Sequence, residues 1–280
     1  MRIAIDLVPT RRAPGSLYLR IGGAIVAFYM VLAVIGPTAA PYGADDQDLL
    51  SALDPPSFAH LFGTDSLGRD VLSRVIIGTR FTLTATLVSV VAALIAGVAL
   101  GITAGYLDGR VAATIAGLID LLLTIPSLVL AIAIASVIGA GLFGLILATS
   151  TTFVPPMARL VRGRVLELKS EDYVEAARAI GTSDLGIMCR HILPNAFTII
   201  IVEASLAAGQ AVLIAAALGF LGLGVQPPAP EWGTMLGAGR EYMQRAPYLV
   251  LCPGVAISLL ILGFNLLGDG LRDRFDPRTG

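Results

Sequence analysis

The stretch FTLTATLVSVVAALIAGVALGITAGYL, from Phe81 to Leu107, carries no acidic or basic side chain, and its reading decides the fold. A helix needs about 20 predominantly apolar residues to cross the hydrocarbon core of a bilayer. A surface helix of a soluble domain would show a polar stripe instead. Runs of the same character lie at Arg20 to Thr38, Asn195 to Gly222 and Leu249 to Leu267. Between Val111 and Val154 the chain is again apolar, with Asp120 its only acidic or basic residue. At about 1.5 Å of rise per residue that run is too long for one crossing. Gly139, Gly141 and Gly144 offer a reversal between two helices, and Pro126 offers a bend in the first of them. The expectation is an all-α membrane protein with about six transmembrane helices.

Composition agrees. Of the 280 residues 56% are hydrophobic and 14% charged, and the mean hydropathy is +0.83; soluble domains hold about 45–50% apolar residues. A net charge of -1 leaves no basic excess to neutralise phosphates, which argues against a nucleic-acid partner. Cys189 and Cys252 fall in segments of different character and suggest no disulfide framework.

Basic residues keep to the cytoplasmic side. With the N-terminus inside, only Arg69, Arg74, Arg80, Arg240 and Arg245 of the 19 Lys and Arg fall outside. Both termini are therefore expected in the cytoplasm, with tails at 1–19 and 269–280 around a membrane domain at 20–268. The first apolar run is long and other spans follow it, so it reads as a span rather than a cleaved signal.

Three polar segments separate the spans. External loops are expected at 41–80, with turn signals in DPPSFAHLFGTDSLGRD, and at 226–247, which carries the only tryptophan, Trp232. The third, at 157–194, is cytoplasmic. In it Ser170 can cap a helix whose apolar face is Tyr173, Ala176, Ala177 and Ile180, opposite Glu171, Glu175 and Arg178. Gly181 ends that helix. Ser183 or Thr182 can cap a second helix with Leu185, Met188, Cys189 and Ile192 on one face, and Pro194 limits its run. Two short amphipathic helices joined at a glycine fit either a groove on a partner protein or a lipid headgroup surface.

The string EAARAIGTSDLGIMCRHILPNA, Glu175 to Ala196, resembles the Glu-Ala-Ala loop of the permease subunits of binding-protein-dependent ABC importers. HLFGTDSLGRDVLSRVIIGTR, LGFLGLGVQPPAPEWGTML and NLLGDGLRDRFDPR extend the likeness over nearly the whole chain. They resemble the dipeptide and oligopeptide branch, and within it the second of two different permease subunits. His191 stands where the general loop pattern has isoleucine, Gly117 where an arginine is usual, and Ala215 where a glutamate is usual.

The resemblance implies that Glu175, Ala176, Ala177, Gly181, Leu185, Met188 and Ile192 form a coupling region seated in an ATPase cleft. It implies a second, homologous permease subunit and two ATPase subunits that bind ATP and magnesium. It also implies an extracytoplasmic substrate-binding protein that docks outside, around Asp65, Arg69, Glu231 and Trp232. These outer residues also fit plain connecting loops. The substrate implied is a dipeptide or oligopeptide, while nickel or other metal chelates, glutathione and haem are carried by related systems. The location implied is the bacterial inner membrane.

No enzyme or cofactor site is expected in this chain. Lys169 is the only lysine, and RVLELKSE lacks the glycine turn of a phosphate-binding loop. His60 and His191 fall on opposite sides of the membrane in this topology and cannot share a metal. Asp120 and Glu203, ionisable groups within spans, line a translocation path or pair with polar neighbours inside the bundle. They also support a reading of another class, an ion-coupled secondary carrier. Gly97, Gly101 and Gly105 form two G-x-x-x-G steps for close helix packing.

Overall fold

A computed structural model describes residues 15–275. The outer parts of both tails, with Arg2, Arg11, Arg12 and Arg278, lie outside the described residues. Helices α1 (Gly15–Ala39), α2 (Val71–Tyr106), α5 (Leu142–Lys169), α8 (Leu193–Phe220) and α10 (Tyr248–Phe275) are each long and apolar enough to cross a membrane. Helices α3 (Arg110–Leu123) and α4 (Ser127–Ile138) add a sixth crossing only as a pair, since they meet at 97°. The bend falls at Pro126, which has no N–H to donate and whose ring disfavours helix in the residue before it. Gly139 and Gly141, at φ of 100° and 139°, make the reversal into α5. Short helices α6 (Asp172–Ala179), α7 (Asp184–Ile187) and α9 (Trp232–Gly239) complete the chain, and the described residues hold no β-strand.

α1 starts before Arg20, at Gly15, and α10 runs on past Leu267 into the expected tail, to Phe275; three further differences have a local cause. α2 begins at Val71, ten residues before the apolar run. Asp70 caps it, accepting from the Ser73 N–H and hydroxyl at 2.7 Å each. Its first turns carry Arg74, which a search for apolar runs passes over. The Arg74 side chain is buried, donating to the Ala44 carbonyl at 2.6 Å. α5 likewise continues from Met157 to Lys169, because Met157, Val161, Val165 and Leu168 bury one stripe of it while charged residues occupy the rest.

The third difference is at Pro194, which does not stop the helix before it: a single helical run extends from Asp184 to Phe220. A wider π-turn at Met188–Ile192 absorbs the proline, with Leu193 N bonding the Met188 carbonyl, and the Asn195 amide caps the His191 carbonyl at 2.7 Å.

The glycine steps pack within this subunit. A Cβ on Gly101 would lie 2.6 Å from the Ala158 carbonyl, and Gly97 and Gly105 face Met157 and Val165 in the same way. α2 and α5 therefore meet backbone to backbone along much of their length. α1 packs along α10, and α8 lies between α10 and the α2–α5 pair. Outside the membrane, the loop before α2 and the α9 segment form one folded layer. There Tyr248 donates to the Asp54 carbonyl at 2.8 Å, and Thr64 and Asp70 form an isolated bridge.

Candidate functional site

The cytoplasmic segment begins where α5 ends. Ser170 does not cap α6; its hydroxyl turns back to the Glu167 carbonyl, and Glu171 stands at the N-cap. Helices of one turn or two need firm ends. At the C-terminal end Gly181 adopts φ of 83°, Thr182 N bonds the Ala177 carbonyl and Gly181 N bonds the Arg178 carbonyl. That is the left-handed cap expected of the glycine. Ser183 then caps α7, accepting from Gly186 N at 3.3 Å.

Burial separates the candidate coupling residues into two sets. Val174, Ala177, Ile187 and Ile192 pack with Val165, Leu168 and Tyr106 in a small core of their own. Ala177 and Ile192, counted in the sequence as contact residues, are 4% and 0% exposed and hold the segment together from inside. The outward set is Tyr173, Glu175, Ala176, Ile180, Gly181 and Leu185, with Met188 partly covered. Ile180 is 83% and Leu185 68% exposed, which leaves an apolar surface without a neighbour in this chain.

A polar clasp ties the segment to the membrane helices. The Tyr106 hydroxyl, at the end of α2, donates to Asp184 Oδ1 at 2.7 Å. Lys169 Nζ, at the end of α5, bonds both Asp108 oxygens at 2.8 and 2.9 Å. Lys169 and Arg178 stand over the Tyr106 ring at 5.7 and 5.9 Å. The sequence reading missed this group. Tyr106 ends an apolar run and Asp184 follows a helix cap, and nothing local links two residues so far apart.

Asp120 is paired with Arg159 of α5, and both side chains are more than half exposed. Glu203 is partly buried and lines a groove of about 480 Å³ with Arg164, Glu167, Asn195, Thr198 and Arg272. The two acids do not meet in one site.

The external candidates fare differently. Asp65 and Arg69 bond each other at 2.7 Å, and Asp65 also accepts from two loop N–H groups, so both serve the loop that carries them. Glu231 and Trp232 are both 0% exposed and offer no surface to a partner. Glu231 is the N-cap of α9, accepting from Gly233 N and Thr234 N at 2.8 and 2.9 Å. Trp232 lies against Gly78 and donates to the Val75 carbonyl at 2.9 Å. The layer's exposed apolar residues are others, among them Leu50 at 97% and Phe58 at 104%.

Comparison with known proteins places this architecture. Residues 97–280 match the family described as binding-protein-dependent transport system inner membrane component. The glutathione transport system permease protein GsiD of Escherichia coli O1:K1 / APEC is 43% identical over 256 residues, which cover 90% of this chain and 84% of that protein. Its counterpart in Shigella flexneri serotype 5b (strain 8401) is 45% identical over the same coverage. An inward-facing structure of the MetNI methionine ABC transporter superposes with a TM-score of 0.58 at 22% identity, covering 71% of this chain and 94% of the other. That likeness shows the fold alone. The chain therefore belongs to the family of inner-membrane components of binding-protein-dependent transport systems, as a multi-pass permease subunit of an importer.

Proposed function

We propose that this chain pairs with a second, homologous permease to enclose a path for small peptides, driven by two ATPase subunits that bind ATP and magnesium. The observation that carries the reading is the outward apolar surface of α6 and α7, built on the Glu175-Ala176-Ala177 and Gly181 pattern and held rigid by its own small core. A groove in one of the two ATPases would cover Tyr173, Ile180 and Leu185. Lipid headgroups are the other candidate cover, but the clasp fixes this surface to the helix ends, as force transmission requires. Membership in the family removes the ion-coupled carrier from consideration.

Peptides of a few residues remain the substrate class. The relatives named for glutathione, itself a tripeptide, fall within it; nickel or other metal chelates and haem are the next candidates. Asp120 with Arg159, and Glu203, would face the path, since charges at membrane depth are costly against lipid. The substrate-binding protein would dock on the external layer through exposed residues such as Leu50 and Phe58, with Asp65 and Arg69 shaping the loop beneath them.

Co-purification from detergent, with an ATPase assay, tests this. The intact chain is expected to bring ATPase subunits and activity. Ile180→Glu with Leu185→Glu, both exposed, is expected to leave the permease pair folded and remove them. Retention of the ATPases by that variant, or purification of the intact chain without them, contradicts the reading.

A further inference from the structure

The clasp sits at the C-terminal end of α2, below the apolar contact that Leu94, Val98 and Ile102 make with the coupling segment. Tyr106 is 3% exposed, and its hydroxyl ties α2 to residues 170–192, bonding Asp184 at 2.7 Å and interacting with Arg178 beside it. A tyrosine hydroxyl on a carboxylate is a short, charge-assisted bond. From Tyr106, α2 runs 36 residues, or about 54 Å, back to Val71. There Asp70 caps it, and its first turns carry the external layer through Arg74, Val75 and Trp232. Along the way it is pressed on α5 at Gly97, Gly101 and Gly105. One rigid element therefore joins the cytoplasmic segment to the layer outside the membrane.

We propose that the Tyr106–Asp184 bond is the joint through which the coupling segment and α2 move together, so that binding-protein docking outside and ATP hydrolysis inside are linked along α2. This inference rests on the permease reading above. Tyr106 and Asp184 act as positioning residues: neither touches ATP or substrate. The Lys169–Asp108 pair ties the end of α5 to the turn just past α2, beside the joint, and does not itself reach α7.

The test uses the complete importer in proteoliposomes, reading basal ATPase activity, its stimulation by liganded binding protein, and substrate moved per ATP hydrolysed. Tyr106→Phe keeps the ring under Lys169 and Arg178 and removes only the hydroxyl. It is expected to retain the subunits and basal hydrolysis while stimulation and transport per ATP fall several-fold. Asp184→Ala should match it, and the double variant should be no worse than either single one. Asp184→Asn, which keeps an accepting oxygen, should retain most of the coupling. A Tyr106→Phe importer with full stimulation, or single losses that multiply in the double variant, overturns the joint while leaving the permease reading intact. An unaltered complex without ATPase subunits or ATP-driven uptake overturns both.

Discussion

Glu231 shows how far a residue's type can stand from its role. In sequence a glutamate beside a tryptophan in an external loop reads as a contact for another protein. In the structure it is closed off beneath α9, against Gly219 and Gly224. Burial raises its pKa above the ordinary carboxyl value, and the N–H groups of Gly233 and Thr234 offset this only in part. A carboxyl raised in the folded state is protonated more readily there than in the unfolded chain. Its stabilising contribution is therefore complete below the ordinary carboxyl range and is lost as pH rises through the raised value. The melting temperature of the purified protein is expected to fall with rising pH above about 4.3 through this residue. Glu231→Gln, which loses one cap bond, should start about 1 kcal/mol lower and remove that slope. Thermal melts from pH 5 to 8 check both. Trp232→Ala should cost about 3–5 kcal/mol without weakening binding-protein affinity among the molecules that remain folded, whereas Phe58→Ala should do the reverse. Residue type was legible at these positions, but burial was not: that of Trp232 depends on Gly78 and Val75, more than 150 positions away in the chain.

At the scale of elements, the apolar spans and the reversal at Gly139 were readable because lipid demands long unbroken runs. The readable part ended where a helix leaves the bilayer. The first turns of α2 and the last of α5 mix buried apolar residues with Arg74, Arg159 and Arg164, so their pattern resembles a loop to a hydropathy search. The cap at Gly181 was readable because its requirement is local, while the π-turn that carries α7 into α8 was not, since proline usually ends a helix. The α2–α5 contact gives a prediction of its own. Gly101→Leu would drive a side chain into the Ala158 carbonyl and Val161, and overpacking costs about 1–3 kcal/mol or more. It is expected to lower the melting temperature sharply and the yield of assembled complex with it. Gly163→Ala, with nothing within 4 Å of the added carbon, should be neutral or slightly stabilising by helix propensity. Melting curves of the two variants side by side separate close packing from a general intolerance of substitution in these helices.

For the whole molecule, the α3–α4 flank stands open, as α1 does, and it carries an ion pair as well. α3 and α4 present most of their side chains outward, including Leu118, Leu121, Val129 and Val137. On this apolar flank stands an exposed ion pair, Asp120 with Arg159. Charged side chains against lipid are costly, whereas beside a water-filled path or a polar face of the second permease they are not. The bend at Pro126 is consistent with this, since broken helices at membrane depth are tolerated where they line a cavity or pack on protein. Gly117 lies one turn before Asp120 with no atom within 4 Å of an added Cβ, so a cysteine placed there reports what covers the flank. In the assembled importer, with Cys189 and Cys252 replaced by serine, Gly117→Cys is expected to react with a charged, membrane-impermeant thiol reagent. The same reagent should leave Val137→Cys unmodified if that exposed position meets lipid. Labelling at Gly117 that slows when ATP or liganded binding protein is added would place Asp120 and Arg159 beside a path whose access changes during the cycle. No labelling at Gly117 in any state, with the complex active, would assign the pair to the dry seam between the two permeases instead.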